Sequence, residues 1–166
     1  MAALEAGVVA PDFELPTLEG HKVPLRKLLK RGPVVLAFFK VSCPVCQYAF
    51  PFYERLSHAN QGANVSVLGI SQDGLRETAE FRREYGVNFP IAIDDDSNHY
   101  TVSNAYGLTN VPTLFCIAQH GEIEISSVGW SKSEVEQVNA KLAAFREQKP
   151  PALWRKGEDI AEFRAG

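Results

Sequence analysis

The chain is 166 residues long, 45% hydrophobic and 22% charged, which fits one globular domain and excludes low-complexity disorder and a collagen repeat. It carries 17 basic and 20 acidic residues, net charge -3, with no basic cluster beyond residues 26–31, so nothing indicates a nucleic-acid partner. The longest apolar run, Val34–Phe39, is far below the roughly 18–20 residues of a membrane-spanning helix, and residues 1–9 lack the basic and apolar regions of a secretory leader. The expectation is a protein with no membrane span, cytoplasmic as numbered, or periplasmic or otherwise extracytoplasmic if a leader has been removed.

Residues 11–24 read as two short extended pieces around Glu19-Gly20, a small hairpin in an N-terminal extension. Leu25, Leu28 and Leu29 form one helical stripe that Gly32-Pro33 stops. Val34–Phe39 is apolar without alternation, the pattern of a strand covered on both faces, and is expected at the centre of a sheet. A helix follows over 43–58, with a kink expected at Pro51. A buried strand over 65–70, an amphipathic helix over 74–85 ended by Gly86, and a strand over 89–93 come next. Asp94, Asp95, Asp96 and Ser97 place carboxylates and a hydroxyl ahead of a helix over 98–106, where capping and the helix dipole favour them; calcium is the alternative reading of the triplet.

Val111-Pro112 precedes a strand over 113–117, and Gln119-His120-Gly121 turns the chain into an alternating partner strand over 122–128. Ser131 or Ser133 caps a last helix over 134–146, with Val135, Val138, Leu142 and Phe145 on one face. The order β-α-β-α-β-α-β-β-α predicts an α/β fold with a mixed central sheet. One domain is expected over 1–148, followed by a tail over 149–166 that packs on it or extends from it and carries one aromatic anchor, Trp154.

Three cysteines are too few and too odd for a disulfide scaffold, and two of them form Cys43-Pro44-Val45-Cys46. Positions i and i+3 at a helix start share one face and can close into a disulfide after small adjustment. Two intervening residues constrain the unfolded chain little, so such a bond is suited to exchange and adds little to stability. With Cys43 as the N-cap, Pro44 falls at the first helical position, where its missing N–H costs nothing. The free N–H groups of Val45 and Cys46 then point at the Cys43 sulfur and, with the helix dipole, favour thiolate. This predicts Cys43 as nucleophile and Cys46, one turn deeper and less acidic, as the resolving thiol.

Zinc and buried structural cysteines are the competing readings of the pair. A structural zinc site wants four ligands, and no second close pair exists; the histidines at 21, 58, 99 and 120 are scattered. Residue 47 is Gln, against covalent haem attachment. No metal and no cofactor are expected beyond the redox-active Cys43–Cys46 pair itself. Cys116, inside an apolar strand, is expected to be buried and inert.

Taken together, the central strand, Cys43-Pro44-Val45-Cys46, Val111-Pro112-Thr113 and Val128-Gly129-Trp130-Ser131-Lys132 resemble a thioredoxin fold in order and spacing, over roughly residues 8–146. With Pro11-Asp12-Phe13, Phe50-Pro51 and an α/β insertion before Val111-Pro112, the chain resembles the TlpA-like, redoxin and AhpC/TSA branch. The resemblance implies a three-layer fold and a cis peptide at Val111-Pro112 beside the cysteines. It also implies that the Val111 main chain pairs with an extended substrate segment, a form of strand addition. Gly129 would let a partner approach, and Trp130 would offer either an apolar contact or core packing. Departures stand out as well. Ala37 and Ala49 occupy the places where relatives carry a carboxylate, leaving the general base for Cys46 unassigned. Lys40, three residues ahead of Cys43, is a candidate modulator of the thiolate through its charge, or else an ordinary solvated lysine.

Three functions compete. A thiol-disulfide oxidoreductase would exchange disulfides with a protein thiol or disulfide substrate and be reset by an unidentified reductase or oxidase. A thiol peroxidase of the P-x-x-x-T-x-x-C type is disfavoured, because the corresponding positions hold Leu36 and Lys40. A redox-silent binding module would have no use for an acidic cysteine at a helix cap. The first reading leads.

Overall fold

The apolar segments fold in chain order as β1 (Glu14–Pro16), β2 (Lys22–Pro24), α1 (Leu25–Arg31), β3 (Val34–Phe39), α2 (Pro44–Ala59), β4 (Ser66–Ser71), α3 (Leu75–Tyr85), β5 (Ile91–Ile93), α4 (Thr101–Ala105), β6 (Thr113–Ile117), β7 (Ile123–Val128), β8 (Trp130–Ser131), α5 (Lys132–Phe145) and β9 (Phe163–Arg164). This is a computed structural model that describes residues 2–166; Met1, the first residue of the expected domain, lies outside the described residues.

The central sheet has the order β5-β4-β3-β6-β7. β3 runs parallel to β4, Val34 opposite Ser66 through Phe39 opposite Ser71, and antiparallel to β6, Val34 opposite Ile117 through Phe38 opposite Thr113. The sheet is therefore mixed, as expected. All six β3 side chains are buried because alternate residues feed two different cores. Val35, Ala37 and Phe39 join Phe50, Tyr53 and Leu56 of α2, Phe81 of α3, and Val138 and Leu142 of α5. Val34, Leu36 and Phe38 join Phe13, Leu15, Leu25, Val102 and Tyr106 on the other face. The hairpin of β1 and β2, the expected N-terminal extension, covers that second face, with Leu15 paired to Val23.

Two expectations need correction. The helix over 98–106 is broken: a short 3-10 turn (Asp96–Asn98) and α4 are separated by His99 and Tyr100, whose φ values of 54° and 50° lie in the left-handed region. The acidic triplet serves each piece separately. Asp95 accepts the Ser97 N–H at 3.2 Å, while the fully buried Asp94 accepts the Ser103 N–H at 2.7 Å, the Ser103 hydroxyl at 2.8 Å and the Val102 N–H at 3.3 Å. On α5, Val135, Val138 and Leu142 are buried, but Phe145 at the last turn is exposed. Ser131 is the cap, accepting the Glu134 N–H at 3.2 Å.

The tail is held by more than Trp154. Leu153 and Ile160 insert into the larger core, and β9 pairs antiparallel with β8. α2 continues through Pro51 as one helix, its Phe50 ring 4.3 Å from Phe39 between ring centroids.

Candidate functional site

β3 ends at Phe39, and the chain crosses 40–43 to enter α2, so the first turn of α2 stands at the carboxyl end of the central strand. Cys43 is the N-cap with extended backbone (φ -81°, ψ 115°), and Pro44 is the first helical residue. The Cys46 N–H donates to the Cys43 sulfur at 3.2 Å. The expectation for Val45 is not met. Cys46 supplies the amide at the sulfur, while the Val45 side chain packs half-buried against the larger core.

The two thiols differ in access. Cys43 is partly exposed, and Cys46 is fully buried. Burial pushes the Cys46 thiol far above the ordinary range; its hydrogen bond with Cys43 adds to the rise, a Lys40 backbone hydrogen bond opposes it, and the Asp73 charge adds a little more. A buried thiol of this kind stays protonated at neutral pH. Cys116 is buried in β6 and its thiol is pushed up to about 12 by desolvation, which matches an inert strand residue.

The Val111–Pro112 peptide bond is cis. It places the Val111 carbonyl beside the cysteine pair, where it accepts the Cys43 S–H at 3.4 Å. Gly129 is tied to the same loop by its N–H, which donates to the Pro112 carbonyl at 2.8 Å. Its φ of 78° lies in the left-handed region, which favours glycine. The sequence thus brings Cys43, Cys46, Val111, Pro112 and Gly129 to one place.

Trp130 is not part of the exposed site. Its indole is fully buried among Tyr48, Phe52, Tyr53 and Trp154, and its Nε1 donates to the Ala161 carbonyl at 2.7 Å. Of the two readings left open, core packing is the correct one. Lys40 is exposed, and what ties it to the cysteines is main chain: its carbonyl accepts the Cys43 N–H at 3.2 Å.

Two residues escaped the sequence reading. Asp73, in the loop after β4, accepts the Val41 N–H at 2.8 Å, and Gln47 of α2 donates its Nε2 to the Val41 carbonyl at 2.8 Å. Val41 is thereby fixed from both sides, and with it the approach to Cys43. Gln47 adjoins the motif and was within reach of inspection; Asp73 lies 32 positions away and had no local signal. The places of the missing carboxylates, Ala37 on β3 and Ala49 on the buried face of α2, are fully buried.

The AhpC/TSA family model matches residues 6–126, most of the chain including both cysteines. The chain belongs to the AhpC/TSA family. This AhpC/TSA protein is 34% identical over 134 residues to the thiol-disulfide oxidoreductase ResA of Halalkalibacterium halodurans, covering 80% of this chain and 74% of that relative. Its fold matches the thioredoxin domain of a thiol-disulfide oxidoreductase from Bacteroides vulgatus with a TM-score of 0.74 at 18% identity, over 84% of this chain and 98% of the other. It also matches the peroxidoxin BcpB of Mycobacterium tuberculosis with a TM-score of 0.73 at 26% identity, over 86% and 99%. The fold of this AhpC/TSA protein is thioredoxin-like, and its activity class is thiol-disulfide oxidoreductase, carried by the Cys43/Cys46 spacing.

Proposed function

We propose that the protein exchanges disulfides with an extended segment of a protein partner, which lies along Val111 beside Gly129 and presents its sulfur to Cys43. The observation that supports this reading most strongly is the position of the Cys43 sulfur: it caps α2, receives the Cys46 amide and lies 3.4 Å from the carbonyl that precedes Pro112. A partner strand recognised by main-chain pairing there needs no particular side chain, which suits a broad class of protein disulfides.

In the reducing direction Cys43 loses its proton to solvent and attacks one sulfur of the partner disulfide. The Cys43–partner S–S bond forms, the partner's own S–S bond breaks, and its second sulfur leaves as thiolate. Cys46 then gives up its proton and attacks the Cys43 sulfur, forming Cys43–Cys46 and releasing the second partner thiolate. Two electrons have passed from the dithiol to the partner, and an external dithiol of the reductase class restores the pair. The oxidising direction is the same sequence reversed, with an oxidase regenerating the disulfide. Pro44 starts the helix so that the Cys46 amide faces the sulfur. Lys40 and Val45 act through backbone and packing.

Turnover of insulin disulfides with dithiothreitol as reductant tests the reading, with hydrogen peroxide consumption run in parallel. Expected are insulin reduction that vanishes in Cys43→Ser, and peroxide consumption no faster than that of a free thiol. Fast peroxide consumption with no insulin reduction would establish the peroxidase reading, for which the AhpC/TSA membership and the peroxidoxin likeness speak. Against it, Leu36 is sealed inside β3 and Lys40 offers no hydroxyl three residues ahead of Cys43.

A further inference from the structure

The groove assigned above to a partner is already filled by this chain. Residues 161–166 cross it in extended form, with Arg164 opposite Trp130 and Phe163 opposite Ser131 in an antiparallel pair. The Lys132 N–H donates to the Glu162 carbonyl at 3.0 Å, and Asn110, next to Val111, donates its Nδ2 to the Gly166 carbonyl at 3.1 Å. The Arg164 guanidinium lies over the Tyr48 ring, 4.1 Å from its centroid. Contact with the site itself is backbone on backbone. A Cβ at Gly129 would come within 2.7 Å of the Arg164 carbonyl oxygen, and a Cβ at Gly166 would overlap the Val111 carbonyl.

The segment is anchored unevenly. Its root is fixed: Leu153 and Ile160 are buried in the core, Asn139 holds the Pro151 carbonyl at 2.8 Å, Trp154 Nε1 donates to Glu136 at 2.7 Å, and Arg55 grips both oxygens of Glu158. Ala161 still belongs to the root, half-buried against the larger core with its carbonyl held by Trp130 Nε1 and its N–H donating to the Tyr48 hydroxyl at 3.0 Å. From Glu162 on the side chains lie at the surface, Phe163 being 60% exposed, and the hold consists of a two-residue strand pair, a few edge hydrogen bonds and the Arg164–Tyr48 stack. Elements with few buried apolar contacts open first. On its other side Val111 borders an open groove of about 350 Å³ lined also by Lys40, Gln72, Tyr100 and Asn104. Cys43 itself remains partly exposed with the segment in place.

We propose that residues 162–166 are a strap that competes with protein substrates for the Val111–Gly129 edge, so that protein disulfides react only when it lifts, whereas small disulfides reach Cys43 past it. This rests on the strand-addition reading of the site. The apparent affinity for a partner segment is reduced by the fraction of molecules with the strap raised.

The test compares the full chain, a chain lacking 162–166, and Gly166→Val, whose side chain collides with the Val111 carbonyl and expels the strap without shortening the protein. Each is assayed on insulin and on a small chromogenic aromatic disulfide, with far-UV circular dichroism confirming the fold. Both variants are expected to reduce insulin roughly tenfold faster or more than the full chain, with rates on the small disulfide within about twofold of it, the open groove being unchanged. Equal insulin rates in all three proteins would overturn the strap. So would an equal gain on both disulfides, which would mean a general loosening of the site. If the truncated chain fails to fold, Gly166→Val decides alone. If no protein, the full chain included, exchanges with either disulfide, it is the exchange reading that fails, and the strap falls with it.

Discussion

The Cys43 sulfur lies 3.4 Å from the carbonyl oxygen of Val111, while Cys46, one helical turn away, has no exposed surface. Two thiols of one short motif are thus placed in opposite environments, one facing any incoming sulfur and one held in reserve beneath it. Brief treatment of the reduced native protein with iodoacetamide should modify Cys43 alone, with Cys46 and Cys116 reacting only after denaturation. Cys43→Ser should abolish exchange. Cys46→Ser should instead accumulate a mixed disulfide with the substrate, visible as a reducible adduct by mass spectrometry. Native labelling of Cys46 ahead of Cys43 would reverse the assignment.

Cys116 gives a pH test of stability that is separate from activity. Its ordinary value is 9.0 and burial holds it at about 12. Between these values the unfolded chain has lost the proton that the folded chain keeps, so stability is intact below pH 9 and declines as pH rises above it. The contribution of this one thiol to the slope is at most about 1.4 kcal/mol per pH unit. Cys116→Ala should cost about 1 kcal/mol near neutrality through the small cavity left. It should also give a shallower decline above pH 9 in urea unfolding under reducing conditions; parallel slopes would contradict the assignment.

Gly129 should resist substitution for backbone reasons. With φ at 78°, Gly129→Ala places an L-residue in the left-handed region, at a cost of about 1–2 kcal/mol, and sets a methyl against the Arg164 carbonyl. A fall of that size in urea-unfolding stability is expected. An unchanged unfolding midpoint would show that the loop relaxes freely.

The Arg55–Glu158 pair predicts how the tail responds to acid. The Arg55 guanidinium, helped by the Arg155 N–H, holds the Glu158 carboxyl at about 2, below its ordinary 4.5. The clasp is therefore complete above pH 4.5 and is lost as pH falls toward 2. Of the chain's two tryptophans, Trp154 belongs to the tail and Trp130 packs against it, so their emission reports its docking. The spectrum of the wild-type protein should hold steady through pH 4.5 and shift only as pH approaches 2, whereas Glu158→Gln should show the shifted spectrum already at pH 7. Identical spectra for the two at neutral pH would remove the clasp from the account.

Much of this architecture could be read from the chain because its signals are local. The unbroken apolar run at Val34–Phe39 announces a strand buried on both faces, and Pro44 after Cys43 announces a helix start. What escaped is non-local or mutually compensated. His99 and Tyr100 adopt left-handed backbone although neither is glycine, because Asp94 pins the start of α4 from four residues before Asn98, whose Nδ2 it also accepts at 2.7 Å. Trp130 offered an apolar contact on paper, but Tyr48 and Phe52 of α2 and Trp154 of the tail enclose it, two segments distant from it in the chain. The pairing of Phe163–Arg164 has no pattern of its own, since two residues carry no period and the groove that receives them exists only after folding.

The double tether on Val41 leaves the bend ahead of Cys43 without slack. Asp73 belongs to the loop after β4 and Gln47 to α2, so the bend is stitched to sheet and helix together. Closing or opening the sulfur–sulfur bond must then be absorbed by side-chain torsions of the two cysteines. In amide NMR spectra of the oxidised and reduced protein, the cross-peaks that move should cluster at residues 40–47 and 110–112, with the rest of the map superimposing.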